Sequence, residues 1–255
     1  MNKIIYPIVN TVSLIITLIV NYLSNTGFFN DQSIADISAK YENLFTPAGY
    51  TFSIWGFIYL FLLGFVMYQW YSWSSGKGYD VSKPGFLLAF ANILNSTWVI
   101  LWVNDELGLS VLVMLLILTS LLAVAFKVSE REWDASKGFF FWVWLPIQWY
   151  FGWIILATVA NISGFFVKMD IDMIFSDLIW GITMITISTG IYLFLLIQKN
   201  LREASLVGVW GLIGIAAKQY EPNPLVSYYA LFATLILFLI IAVKTYRSWN
   251  RPLIG

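Results

Sequence analysis

The stretch FFFWVWLPIQWYFGWIILATVA, residues 139–160, is a continuous apolar segment without a single charged residue. Roughly 20 apolar residues are what a helix needs to cross the hydrocarbon core of a bilayer, which is about 30 Å thick. Backbone N–H and C=O groups in hydrocarbon must find their hydrogen bonds within the protein, and a helix provides them locally. The stretch therefore predicts a transmembrane helix.

Segments of similar character lie on both sides of this stretch. Of the 255 residues, 60% belong to the hydrophobic set and 11% are charged, which lies outside the composition of ordinary soluble domains. We predict an all-α, polytopic membrane bundle of eight transmembrane helices. The seventh is short for a span, and it could instead be a re-entrant or interfacial segment. The predicted spans are 5–23, 50–72, 85–103, 108–126, 139–160, 175–197, 204–218 and 225–243.

The distribution of Lys and Arg favours eight spans over seven. Positive residues accumulate on the cytoplasmic side of a membrane protein. With eight spans, only Lys40, Lys168 and Lys218 of the 14 Lys and Arg residues lie on the outer side. Removing the seventh span would move the basic C-terminal tail outward and almost erase this asymmetry. We therefore expect both termini in the cytoplasm, and we expect the membrane to be a bacterial inner membrane.

Several classes of function are disfavoured by residues that the chain lacks. It contains no Cys and no His, so the commonest metal ligands, thiol nucleophiles and the usual general base at neutral pH are missing. No Asp, Glu, Lys or Arg lies in the middle of a predicted span, although ion-coupled pumps usually need one there. The formal net charge of zero gives no reason to expect a nucleic-acid partner. We assign no metal site, no covalently bound cofactor and no catalytic residue.

The connection 24–49 is the longest on the outer side. Ser33 and Asp36 form a capping-box pattern, and the residues at helical spacing are Ile34, Ile37, Tyr41 and Leu44. We predict a short helix that lies on the mouth of the bundle. Either it anchors the loop in the membrane interface or it acts as a lid.

Three of the predicted spans carry aromatic or amide residues on one helical face. Residues three and four apart share a face of a helix. Trp and Tyr supply rigid stacking area together with an N–H or O–H group, which suits a flat hydrophobic ligand. The faces consist of Phe52, Trp55 and Tyr59; of Asn92, Asn95, Trp98 and Trp102; and of Trp142, Pro146, Trp149, Trp153, Ala157 and Ala160, with Thr158 and Asn161 near the edge of the third.

The same residues have a structural interpretation. Any single Trp among them is more often a packing or interfacial residue than a ligand contact. Asn92 and Asn95 are first interpreted as interhelical hydrogen-bonding residues, each contributing about 1 kcal/mol or less in a membrane. Only convergence of the three faces would favour a binding site.

Three motifs resemble those of the TspO/MBR family, the tryptophan-rich sensory or translocator proteins. The segment TPAGYTFSIWGFIY, 46–59, is similar to the proline-containing turn that leads into W-x-x-x-Y, here Trp55 and Tyr59. LNSTW, 94–98, matches N-x-x-W at Asn95 and Trp98. The fifth span is similar to the family's fifth helix in W-x-x-x-A-T-x-x-N, which runs from Trp153 to Asn161.

The resemblance covers residues 1–165, and it implies a five-helix bundle that binds porphyrins or other flat lipophilic molecules under a cap formed by the first loop. Residues 166–255 are then additional transmembrane helices packed on that bundle, and they cover the flank at which shorter relatives dimerise. A homodimer stays open, and lipids are the other expected partner. The ligand-binding residues that the faces and the resemblance together suggest are Phe52, Trp55, Tyr59, Asn95, Trp98, Trp149, Trp153, Thr158 and Asn161.

The sequence departs from the family pattern in two places near this pocket and in one beyond it. Phe52 precedes Trp55 by three positions instead of four, and Pro146 precedes Trp153 by seven instead of four. The family's apolar–Tyr–basic sterol motif is missing, so sterol binding is not carried over.

Three functions stay open at this point. The first is a receptor or carrier that binds a porphyrin or a similar planar lipophile. The second is a porphyrin-degrading, photo-oxidative membrane enzyme, which we favour less because the residues for metal or acid–base catalysis are missing. The third is a structural or assembly subunit whose aromatic residues only pack.

Overall fold

The computed structural model describes residues 4–76, 83–129, 137–171 and 176–249, and nearly all of them are helical. The third helix is preceded by a 3-10 turn, Gly49–Ser53, and the sixth contains a π-helical segment, Phe140–Trp144. The helices are α1 (Ile5–Asn25), α2 (Ile34–Lys40), α3 (Ile54–Ser75), α4 (Gly85–Val103), α5 (Leu107–Ser129), α6 (Lys137–Lys168), α7 (Asp177–Lys199), α8 (Arg202–Gln219) and α9 (Pro224–Trp249).

Five of the long helices close into a ring. α1 packs on α4, α4 on α5, α5 on α6, α6 on α3, and α3 returns to α1. Buried polar residues join α1 to α4: the Thr17 hydroxyl donates to the Asn92 carbonyl at 2.9 Å, and the Asn21 amide donates to Asn95 Oδ1 at 3.2 Å. Asn92 and Asn95 therefore lie at a helix interface, as the structural interpretation of these residues predicted.

The three C-terminal helices cover one flank of this ring. α8 packs along α6 and along α9, and α7 packs beside both. The close approach of α6 and α8 requires Gly152, because a Cβ there would lie 2.5 Å from the carbonyl oxygen of Ala204. Small residues that let backbones approach are a common way to hold helices together in a membrane.

Seven of the described helices are long and apolar enough to cross a membrane, and α8 is the remaining long helix. α8 corresponds to the predicted seventh span. Its 18 residues measure about 27 Å at 1.5 Å per residue. Near its start Glu203 accepts a hydrogen bond from the Trp144 N–H, and near its end Lys218 pairs with Glu42 of the outer loop. α8 thus runs from one end of the bundle to the other, between α6, α7 and α9, which explains how a helix of lower hydropathy fits there.

The three lysines predicted on the outer side lie at the same end of the structure. Lys40 and Lys168 both bind Asp105, with Nζ–carboxylate distances of 2.6 and 3.0 Å. Lys218 lies 3.2 Å from the carboxylate of Glu42. Each of these lysines therefore pairs with a carboxylate of a connecting segment, and Lys40 and Lys168 share one. The helices alternate in direction from this end, so the described start of α1 and end of α9 share the opposite end. That this opposite end is cytoplasmic stays a prediction.

The predicted stripe along the fifth span begins at an irregular part of the helix. Pro146 has no N–H to donate to a carbonyl one turn earlier, and the helix adopts π geometry over Phe140–Trp144. Trp142 is 41% exposed and lies against Gly64 of α3. Trp149 contacts Phe61, one turn away on the same face of α3, so these two tryptophans face α3 together.

Candidate ligand-binding site

The start of α3 positions the first two aromatic rings of the site. The Thr51 N–H donates to the Ala48 carbonyl at 2.9 Å, which closes the 3-10 turn that contains Phe52. A 3-10 turn has three residues, so side chains three apart are eclipsed. Phe52 and Trp55 therefore point to the same side, and the three-residue spacing that departs from the family pattern is explained by this local geometry.

Rings from α3 and α6 meet inside the ring of helices. Trp55 stacks on Tyr59 with a centroid distance of 5.2 Å. The edge contacts of the Trp55 ring are with Tyr150 at 5.9 Å and with Trp153 at 6.3 Å, and Phe52 contacts Trp153 at 5.9 Å. Offset and edge-to-face pairs of this kind each contribute about 0.5–1.5 kcal/mol beyond their burial. The convergence of the α3 and α6 faces that the sequence required is present.

The α4 face completes the group through a hydrogen-bonded tryptophan. Trp98 stacks on Trp102 at 5.6 Å, and its Nε1 donates to Asn161 Oδ1 at 2.9 Å. The Asn161 amide in turn donates to the Ser110 hydroxyl of α5 at 2.9 Å. All four side chains are buried. Asn161 thus fixes the orientation of the Trp98 ring and links α4, α5 and α6.

The outer end of this group is closed by the segment 26–53, here called the cap, which contains α2 as predicted. Ser33 and Asp36 form the expected capping box of α2, and the Ile37 side chain of the same helix is fully buried. The Trp102 Nε1 donates to the Ile34 carbonyl at 3.1 Å and so ties α2 to α4.

The C-terminal helices hold the following segment of the cap in place. The Ala48 N–H donates to the Gly214 carbonyl of α8 at 3.0 Å. Trp210 of α8 donates from Nε1 to the Thr51 carbonyl at 3.0 Å, and its ring contacts Tyr50. α8 therefore braces the cap as well as the flank of the bundle.

Two cavities lie under the cap, and the Phe52 and Trp55 side chains separate them. The inner cavity has a volume of only about 50 Å³ and is lined by Trp98, Trp153 and Asn161. The lateral cavity has about 480 Å³ and lies between the outer halves of α1 and α3, where it reaches Tyr59. Sites for small molecules typically measure about 300–1,000 Å³. The lateral cavity is large enough for a flat ligand, whereas the inner one is not in this conformation.

The residues chosen from the sequence do not all meet in one place. Asn95 is fully buried behind the aromatic rings. Thr158 is also buried, and its hydroxyl donates to the Ile154 carbonyl of its own helix at 2.6 Å. Trp149 lies outside the group, against Phe61 at 5.1 Å, on a groove shared with α8. Those that line the two cavities are Phe52, Trp55, Tyr59, Trp98, Trp153 and Asn161.

The sequence analysis missed one central residue and undervalued another. Tyr150 is fully buried and contacts Trp55, but it lies one position away from the Trp149 stripe. Trp102 was noted on the α4 face but was not chosen for the site, although it lines the inner cavity. Tyr150 lies three residues before Trp153, and this helical spacing could have indicated that the two residues share a face.

Four buried hydrogen-bond donors lack a hydrogen-bond partner among the described residues; three are on rings that contact Trp55, and the fourth, on Asn95, lies beside one of those rings. They are the Tyr59 hydroxyl, the Tyr150 hydroxyl, Asn95 Nδ2 and Trp153 Nε1. Asn95 faces the Tyr150 hydroxyl as a potential hydrogen-bond partner, although the two groups are not within hydrogen-bond geometry here. Buried polar groups in proteins are nearly always paired, because an unpaired polar group is energetically unfavourable in a low-dielectric interior. Two of these donors belong to residues that line the cavities, Tyr59 and Trp153, so they are available to a ligand that carries hydrogen-bond acceptors.

A family model described as TSPO-like protein matches residues 7–243. The match runs from α1 into α9, so it includes the three C-terminal helices for which the resemblance over residues 1–165 gave no counterpart. No curated protein and no solved structure matches the chain. Together with seven helices of membrane-spanning length and composition, this match confirms the resemblance to the TspO/MBR family. The chain is an integral membrane protein that belongs to the TSPO-like family.

Proposed function

We propose that this protein is a membrane receptor or carrier that binds a flat lipophilic molecule bearing a hydrogen-bond acceptor, with a porphyrin as the representative ligand. The expected location is a bacterial inner membrane. The single observation that supports this proposal best is the set of three unpartnered donors on the rings that contact Trp55, which are those of Tyr59, Tyr150 and Trp153.

The lateral cavity supplies the route for a lipophilic ligand. α1 and α3 contact each other at the inner end, where Asn10 donates to Gln69 at 3.2 Å and Trp70 donates to Thr11 at 3.0 Å. Toward the outer end the cavity separates the two helices, and Tyr22 at its edge is 70% exposed. A ligand dissolved in the bilayer would enter here.

Trp55 is the residue that a ligand would displace. Its ring lines both cavities, which also share Ile34, Ser38, Thr46, Pro47 and Phe52. Rotating the ring would remove its stacking on Tyr59, which contributes about 0.5–1.5 kcal/mol. The same rotation would join the two cavities. The flat face of a porphyrin would then replace the lost stacking, and its carboxylates would accept from the donors of Tyr59, Tyr150 and Trp153.

A substitution at Tyr150 separates binding from packing. Its hydroxyl has no partner in the free protein, so Tyr150→Phe removes an unpaired buried donor and is expected to leave stability unchanged or slightly higher. A hydrogen bond to a charged acceptor contributes about 1.5–3 kcal/mol, so the same substitution should weaken protoporphyrin binding by roughly 10- to 100-fold.

The test is a titration of the purified protein in nanodiscs with protoporphyrin, followed by tryptophan quenching and the Soret shift. Parent protein is compared with Tyr150→Phe, Trp153→Phe and the control Trp149→Phe. Tyr150 and Trp153 both contact the Trp55 ring, whereas Trp149 packs against Phe61 and lines neither cavity. We expect weaker binding in the first two variants and an unchanged dissociation constant in the control.

Two outcomes would favour the other functions. If no binding saturates, or if all three variants bind alike, the aromatic residues only pack and the structural role is correct. If binding behaves as expected and illumination then consumes the porphyrin in a manner that depends on Trp153, the protein is a photo-oxidative enzyme that uses the same pocket.

A further inference from the structure

A third cavity, here called the junction cavity, lies where the cap meets the C-terminal helices. It has a volume of about 240 Å³ and is bounded by Glu42–Phe45 of the cap, by Ser163 and Phe166 of α6, and by Trp180 and Met184 of α7. Its wall shares Asn43 with the inner cavity and Glu42 with the lateral cavity, and the remaining residues belong to neither. The junction cavity is therefore a neighbour of the tryptophan-rich pocket with a largely different wall.

The inner part of the junction cavity is apolar except for one hydroxyl. Phe166 and Trp180 meet edge to face with a centroid distance of 5.4 Å, and Met184 is 6% exposed. Ser163 lines the same wall, is likewise 6% exposed, and its Oγ has no hydrogen-bond partner among the described residues. A serine in a helix commonly satisfies its hydroxyl on its own backbone, so this unpaired hydroxyl indicates a polar contact with an occupant.

The mouth of the junction cavity carries more negative than positive charge. Glu42 and Asp177 both line it and both are exposed. Glu42 is paired with Lys218 at 3.2 Å, whereas no cation among the described residues lies within ion-pair distance of Asp177. The N-terminus of α7 offsets only part of the Asp177 charge, since a helix end is equivalent to about half a charge. The mouth is thus suited to a single positive charge.

We infer that the junction cavity is a binding site for a small arylalkyl amine whose ring carries a hydroxyl or a similar polar group. The ammonium lies at the mouth beside Asp177, the ring packs on Phe166 and Trp180, and the ring substituent exchanges a hydrogen bond with Ser163. An ammonium near aromatic faces gains further from cation–π attraction.

The test uses three probes of similar shape: tyramine, phenethylamine without the phenol, and 3-(4-hydroxyphenyl)propionate with the opposite charge. Each is titrated calorimetrically into protein in nanodiscs without porphyrin, and the signal of empty nanodiscs is subtracted. Tyramine should bind saturably, phenethylamine more weakly, and the propionate not at all.

Two variants and one control connect the binding to named residues. Asp177→Asn should weaken tyramine about three- to fivefold, as expected for an ion pair in contact with solvent. Ser163→Ala should weaken tyramine about fivefold through one lost hydrogen bond and leave phenethylamine unchanged. Asp31→Asn, which changes another exposed carboxylate of the outer end, should change neither.

The inference is overturned if the amine and the propionate titrate alike, if no probe saturates, or if Asp177→Asn behaves like Asp31→Asn. This result is independent of porphyrin binding, because Trp153→Phe should leave tyramine binding intact. Loss of one activity without the other would show which of the two proposals fails.

Discussion

The hydrogen bond between Trp98 Nε1 and Asn161 Oδ1 should couple the two residues energetically, and a double-mutant cycle measures that coupling. The bond is 2.9 Å long, and the side chains are 6% and 2% exposed. Asn161→Leu removes the acceptor and leaves the Trp98 N–H unpaired. The Ser110 hydroxyl keeps a second partner, since it also donates to the Leu107 carbonyl at 2.7 Å.

The magnitude follows from what such bonds contribute inside membranes. Measured side-chain couplings between transmembrane helices average about 0.6 kcal/mol and reach about 1.7 kcal/mol. The short distance and near-complete burial place this pair in the upper half of that range, so we expect a coupling of about 1–1.7 kcal/mol between Trp98→Phe and Asn161→Leu. Asn161→Leu alone should destabilise the protein by about 1–3 kcal/mol, because it leaves the buried Trp98 N–H without an acceptor.

The assay is reversible unfolding by SDS in mixed micelles, applied to the parent, the two single variants and the double variant. Trp70→Phe serves as the control partner, since its N–H donates to Thr11 at the opposite end of the bundle and its effect should add to that of Asn161→Leu without coupling. A Trp98–Asn161 coupling of zero within error would refute the view that Asn161 orients the Trp98 ring.

Two further predictions concern helix packing and the outer charge cluster. Gly152→Ala should destabilise the protein by about 1–3 kcal/mol, because the new Cβ would meet the Ala204 backbone at 2.5 Å. The control Gly190→Ala should not destabilise it, because a Cβ at that position has no neighbour within 4 Å. Equal melting temperatures of the two variants would contradict the α6–α8 contact. Burial alone would raise the pKa of Asp105, but hydrogen bonds from its two lysines and a tyrosine outweigh it and lower the pKa below 3.8. The carboxylate therefore stabilises the fold above that pH and loses this contribution as the pH falls through the lowered pKa. Asp105→Asn should lower the melting temperature at pH 7 and remove the acid-dependent loss, and an unchanged pH profile would be inconsistent with the cluster.

The candidate site was predictable in its general location but not in its membership. Trp153 and Trp149 are one turn apart on α6, and sequence spacing alone treats them as equivalent. Only Trp153 contacts Trp55, because neighbouring helices determine which part of a wide apolar face points inward. Tyr150 was missed for the same reason: almost every position of α6 is apolar or aromatic, so periodicity gives little contrast.

The amino-acid sequence was sufficient to identify a helical membrane protein, to place each helix approximately and to assign the family. These properties are local, because in a bilayer each backbone segment must satisfy its own hydrogen bonds, and the capping box of α2 or the turn before α3 acts within a few residues. The rotation of each helix, the pairing of Lys218 with Glu42 and the bracing of the cap by α8 follow only from the packing of the whole chain. The same packing left the donors of Tyr59, Tyr150 and Trp153 unpaired around Trp55. Such features depend on side chains brought together from distant parts of the chain, and helical periodicity specifies which residues share a face but not what that face meets.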